Sequence, residues 1–147
     1  MKPEREIEYS ELLAYVGLFA TVVWKINPAD EVHPLKTIEE IVRKFGKSKA
    51  LIGLRQAAND TVDESRRWSL QTKFDVNEIF NASGILTVSE ITRRYSAKYK
   101  SIIQRGLIKN DTEFYVVNAI LVDQGSEISD EERANLQRLT ETYEEKA

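Results

Sequence analysis

The chain has 147 residues, a formal net charge of −3, a single histidine and no cysteine. That composition excludes disulfides, thiolate nucleophiles and thiolate zinc sites. It also leaves His-based zinc sites and Ser-His or Cys-His machinery almost without material. A chain of this length can bury roughly 70% of its unfolded surface in one core, so the expectation is one domain over residues 1–147, cytoplasmic, with no cofactor and no enzymatic chemistry.

Residues Glu6 to Lys25 read as the first helix. Its apolar run, Leu12 to Trp24, falls short of the roughly 20 residues that span a bilayer, and the segment before it is acidic where a signal peptide is basic. A buried core helix with no membrane role is expected, with Ala14, Gly17 and Ala20 allowing close approach of a neighbour. Asn27-Pro28 ends it, and the extended PADEVHP that follows places His33 in a loop.

Thr37 and Glu40 read as a capping box opening a second helix with Ile38, Ile41, Val42 and Phe45 inward and Gly46 at its end. Ser48 is a candidate cap for the next, which turns Leu51, Leu54, Ala58 and Val62 inward. Ser69 is one for a segment carrying Leu70, Phe74, Ile79 and Phe80 up to Gly84. From Thr87 to Gly106 the pattern predicts one long basic helix. Thr87 and Glu90 would form its capping box, and Val88, Ile91, Tyr95, Tyr99, Ile102 and Ile103 its inward stripe.

Asn110 and Glu113 open the following helix. Its body, FYVVNAILV at residues 114–122, is apolar on nearly every side and belongs at the centre of the fold. The same residues tolerate a buried strand, although no second strand is present to pair with it. After a loop from Asp123 to Ile128 containing Gly125, Ser129 and Glu132 cap a last helix with Leu136, Leu139 and Tyr143 inward. Glycines 46, 84, 106 and 125 fall where helices are expected to end. The sum is an all-α bundle of about seven helices.

Charge is segregated along the chain. Residues 87–110 hold six basic and one acidic side chain, while residues 111–147 hold three basic and ten acidic. Two accounts are open: the basic helix and the acidic tail neutralise each other within the fold, or one of them faces a charged partner.

Several constellations have bland alternatives. The hairpin at residues 37–58 resembles a helix-turn-helix of bacterial regulators, but Lys47 and Arg55 stand where that pattern requires apolar residues. Lys47, Lys49 and Arg55 would still suit loose phosphate contact. The cations Arg93, Arg94, Lys98, Lys100 and Arg105 divide between two flanks of a helix whose Tyr95 and Tyr99 lie in the inward stripe, which suits a solvated helix better than RNA stacking. Asn59, Asp60, Asp63 and Glu64 crowd one helix but lack the loop or partner helix of a carboxylate metal site.

The segment ITRRYSAKYKSIIQRGLIKNDTEFYVVNAILVD followed by SDEERANLQRLTETYEE resembles the C-terminal half of small, acidic, helical bacterial immunity proteins, partners of polymorphic or contact-dependent toxins. This resemblance implies a protein that binds one cognate toxin, often a basic nuclease, and blocks it. The surface expected to meet such a partner is the acidic one of Asp123, Glu127, Asp130, Glu141 and Glu145. The alternative is a DNA-binding regulator using the 37–58 hairpin.

Overall fold

A computed structural model describes residues 1–146 of the chain. Among the described residues it is all-helical: α1 (Pro3–Val22), α2 (Pro34–Phe45), α3 (Lys47–Ser65), α4 (Leu70–Ala82), α5 (Val88–Tyr95), α6 (Ala97–Arg105), α7 (Asp111–Val122) and α8 (Asp130–Lys146). The eighth helix arises because the long basic helix expected from Thr87 to Gly106 is divided at Ser96. Residues cluster into two compact units, Met1–Thr61 and Val62–Ala147, with α3 contributing residues 47–61 to the first and 62–65 to the second.

In the first unit α1 is a buried core helix, and no helix among the described residues is long and apolar enough to cross a membrane. Its side chains Leu12, Tyr15, Val16, Phe19 and Ala20 are wholly buried, together with Ala50, Leu54 and Ala58 of α3. The small residue that matters is Gly17. A Cβ there would stand 2.8 Å from Leu35 Cδ1, so α2 lays Leu35 against Gly17 and a larger residue would have to push that side chain aside. The Tyr15 hydroxyl and Thr61 Oγ1 lie 2.7 Å apart in a buried hydrogen bond, satisfying both inside an otherwise apolar layer.

Three expectations for this unit are corrected, among them the cap at Ser48, which lies inside α3 because that helix already begins at Lys47. The second helix starts at Pro34 and not at a Thr37 box, because proline suits the first helical position and His33 provides the cap. The His33 ring is 1% exposed: Nδ1 accepts from the Leu35 amide at 3.2 Å, and Nε2 meets Thr21 Oγ1 at 3.1 Å. Phe45 is 68% exposed, since α2 ends there and Gly46 at φ 88° swings the chain away.

The second unit is organised around α7, which packs against α4, α5, α6 and α8. FYVVNAILV is therefore helix, with Val117, Ala119 and Ile120 buried. Their neighbours include Tyr99 and Ile102 of α6, Ile108, and Leu136 and Leu139 of α8. Asn110 Oδ1 and Ser129 Oγ cap the amides of Glu113 and Glu132, and Ser69 caps Thr72, as their spacing predicts. On α4 the inward face differs from expectation: Phe74 and Ile79 are exposed, while Lys73, Asn77 and Phe80 are buried.

The division of the basic helix follows from one hydroxyl. Ser96 has extended backbone (φ −77°, ψ 117°), and its Oγ accepts from the Tyr99 amide at 3.1 Å, capping α6 and ending α5. Serine offers the backbone this alternative to a continuous helix. Gly106, at φ 71°, closes α6 in the left-handed conformation. Gly125 acts by size instead of ending a helix: a Cβ would lie 2.6 Å from Thr87 Cγ2 and 3.1 Å from Asn81 Oδ1.

Candidate functional site

The basic and acidic segments of the second unit meet at one buried carboxylate. Thr87 Oγ1 accepts from the Glu90 amide at 3.0 Å, which is half of the expected capping box. The Glu90 carboxylate does not return to Thr87. It is wholly buried and accepts from Arg93 Nε and Nη2 at 2.9 and 2.7 Å, from Arg94 Nε at 2.7 Å and from the Glu127 amide at 2.9 Å. Burial alone would raise its pKa. The hydrogen bonds from Arg93, the Glu127 amide and Arg94 outweigh burial and hold it below the usual carboxylate range.

The network reaches α8 through Arg93, whose Nη1 is 3.2 Å from Glu132 Oε1, and through Arg94, which pairs with Glu127. The Tyr99 hydroxyl donates to Glu132 Oε2 at 3.0 Å. Burial and that carboxylate together keep the phenol protonated well above its ordinary value. Arg93 and Arg94, expected on opposite flanks, converge here because Glu90 lies three and four positions before them.

The acidic residues proposed from sequence are thereby separated into groups. Asp123 is buried and accepts from the Thr87 hydroxyl at 2.5 Å, the Gly125 amide at 2.9 Å and the Ser126 hydroxyl at 3.1 Å, so it closes a loop and does not project outward. Glu127 is exposed but engaged with Arg94. Asp130, Glu141 and Glu145 are exposed on α8, as are Glu131 and Glu144, and no cation pairs with these five among the described residues. In the first unit, Lys47 and Arg55 of the candidate DNA-binding hairpin pair with Glu6 and Glu8 of α1 at 3.5 and 2.6 Å. No group of three or more histidine or carboxylate side chains converges as a metal site among the described residues.

Sequence reasoning missed a cleft of about 460 Å³ in the second unit. It opens among the end of α3, α4 and the first turns of α5, α6 and α7. Lys73, 6% exposed, lines it, and its Nζ donates to the carbonyls of Ser65 at 2.5 Å and Arg66 at 3.4 Å. Burial pushes this lysine down to about 8. Its side-chain carbon signals in a pH-resolved NMR titration should accordingly have a midpoint near 8; a midpoint above 10 would show that the ammonium is fully hydrated. The available signal was the spacing of Lys73, Asn77 and Phe80 on one helical face, masked because two of the three are polar.

In the second unit one set of charged residues knits α5 to the loop before α8 and to α8, while a separate set of carboxylates on the outer side of α8 has no cation among the described residues. Compared with known proteins, the chain matches no family model, and no curated protein or solved structure is significantly similar to it.

Proposed function

We propose that the chain is a non-enzymatic protein-binding module that docks on a basic partner through the outer face of α8. Its most concrete form is a cytoplasmic immunity protein that occupies and neutralises a cognate toxin, a basic nuclease being the partner that the charge fits. The observation that carries this reading is the division of labour among carboxylates. Glu90, Glu127 and Glu132 are used internally against Arg93 and Arg94, whereas Asp130, Glu131, Glu141, Glu144 and Glu145 have no internal cation among the described residues. A field of one sign on one helix face speeds encounter with an oppositely charged protein and selects against like-charged ones. The resemblance of residues 91–145 to toxin-immunity proteins points the same way. The regulator reading is less well supported, because two of its three candidate phosphate-binding cations are already paired with α1.

The test is affinity capture from the native host with the wild-type chain and with an α8 variant carrying Glu141→Lys and Glu145→Lys. Both positions are exposed, so the variant should fold normally. A stoichiometric protein partner should be retained by the wild type, be bound about tenfold more weakly by the variant, and lose its toxic activity when complexed. No such partner, together with sequence-specific nucleic-acid binding that weakens when Lys47, Lys49 and Arg55 are replaced, would overturn the reading.

A further inference from the structure

The cleft beside Lys73 has the volume of a small-ligand site, within the roughly 300–1,000 Å³ typical of such pockets. Its charge balance is uneven. Arg66, Arg67, Lys73 and Lys98 line it against only two carboxylates, Asp63 and Glu113. Glu113 is already held by Arg105 at 2.5 Å, a residue outside the cleft, and by the Lys109 amide at 2.8 Å. Asp63 lies 4.0 Å from Arg66. Arg67, Lys73 and Lys98 therefore face the cleft with no carboxylate partner among the described residues. Lys73 is a buried ammonium whose two protein partners are neutral carbonyls, leaving one N–H uncommitted.

The polar groups of the wall are biased toward donation as well. Ser89 Oγ accepts from Asn77 Nδ2 at 2.8 Å and Ser96 Oγ accepts from the Tyr99 amide, so each buried hydroxyl keeps its own proton to give. The first turns of α5, α6 and α7 bring Ser89, Ala97, Lys98 and Thr112 to the cleft, adding the positive ends of three helices. Val88, Ile102 and Val116 supply apolar surface beside these groups. A wall rich in N–H and O–H donors, with few free acceptors and a buried cation, complements a dianion attached to a small body.

We propose that this cleft binds a small phosphomonoester, its phosphate taken by Lys73, Arg66, Arg67 and Lys98 and its polyol body resting against Ser89, Ser96 and the apolar patch. Lys73 also shields the carbonyls of Ser65, the last residue of α3, and of Arg66 just after it. The ligand supplies the negative charge that those carbonyls provide only in part. This site is separate from the α8 face, so its existence does not depend on the protein-binding reading.

The probe is ribose 5-phosphate, with ribose and inorganic phosphate as the two half-ligands, titrated by heteronuclear NMR against the full chain. Saturable binding in the millimolar range or tighter is expected, with shifts centred on residues 65–73, 89 and 96–101. Ribose and inorganic phosphate should each bind at least tenfold more weakly. Two variants at exposed positions leave the core untouched: Arg67→Gln with Lys98→Gln, which removes charge, and Ser101→Trp, which fills space. Each should keep the parent melting temperature within a few degrees and weaken ribose 5-phosphate binding about tenfold. Glu141→Lys with Glu145→Lys should leave it unchanged within about twofold. Absence of saturable binding overturns the assignment, as does equal binding by the cleft variants, by ribose, or by inorganic phosphate alone.

Discussion

Replacing Glu90 with alanine should cost the second unit about 3–5 kcal/mol, the range for removing one partner of a buried ion pair. The carboxylate is fully buried and receives four hydrogen bonds, from Arg93, Arg94 and the Glu127 amide. Without it two guanidiniums remain half-buried beside each other, and the loop between α7 and α8 loses its anchor to α5. In urea the denaturation midpoint should fall sharply with little change in slope. The pH dependence gives an independent check. The folded-state pKa of Glu90 is depressed, so its contribution is present above the unfolded value of about 4.3 and is lost as pH falls through the folded one. Wild-type stability should decline in that acid range, and the decline should be shallower in Glu90→Gln, which has no proton to take up. Equal acid profiles for the two would mean that Glu90 is not the residue that ties α5 to the acidic segment.

The second large effect is expected at Val117. This side chain is completely buried in α7, the helix that packs on four others, among Tyr99, Ile102, Ile108, Ile120, Leu136 and Leu139. Val117→Asp places a carboxylate there with no cation among those neighbours. The cost of an unpaired buried charge is several kcal/mol, against a total stability of about 5–15 kcal/mol for a small domain. The variant should lack a cooperative melt for residues 62–147, followed by amide exchange at Ile102, Ile120 and Leu139. Val117→Ala should be milder, since it removes methyl groups and leaves only a small cavity. Protected amides in the aspartate variant would show that α7 is not the centre of the second unit.

These two positions differ in how far they could be read from the chain alone. The centrality of residues 114–122 is visible in composition, because a helix apolar on nearly every side is stable only when surrounded. Whether that segment was helix or strand was settled by its surroundings: Asn110 caps it, α4, α5, α6 and α8 enclose it, and no strand lies among the described residues to pair against. Glu90 was legible as a helix-capping residue and no more. Its carboxylate could have returned to the Thr87 amide, but Arg93 and Arg94 present cationic donors, one of them bidentate, which add ion pairing that a neutral amide cannot offer.

The acidic tail shows the same division. Its composition announces a carboxylate surplus, yet only the folded arrangement separates Asp123, turned inward to hold Thr87 and Gly125, from Asp130, Glu141 and Glu145 on the outer side of α8. Asp123 follows directly after α7, where a short acceptor can satisfy loop amides two residues on, a local event that a charge count does not register.

By itself the sequence determined the helical class, the caps at Ser69, Thr87, Asn110 and Ser129, the centrality of α7 and the opposition of basic and acidic segments. All of these rest on interactions within a few residues or on average polarity. Tertiary structure decided the burial of Lys73, Asn77 and His33, the meeting of Glu90 with the Glu127 amide and of Arg93 with Glu132, and the cleft lined by the first turns of α5, α6 and α7. The physical reason is that a polar side chain has no preferred face of its own. It is buried only where distant elements bring it a hydrogen-bonding partner, and that pairing appears only when the chain has closed on itself.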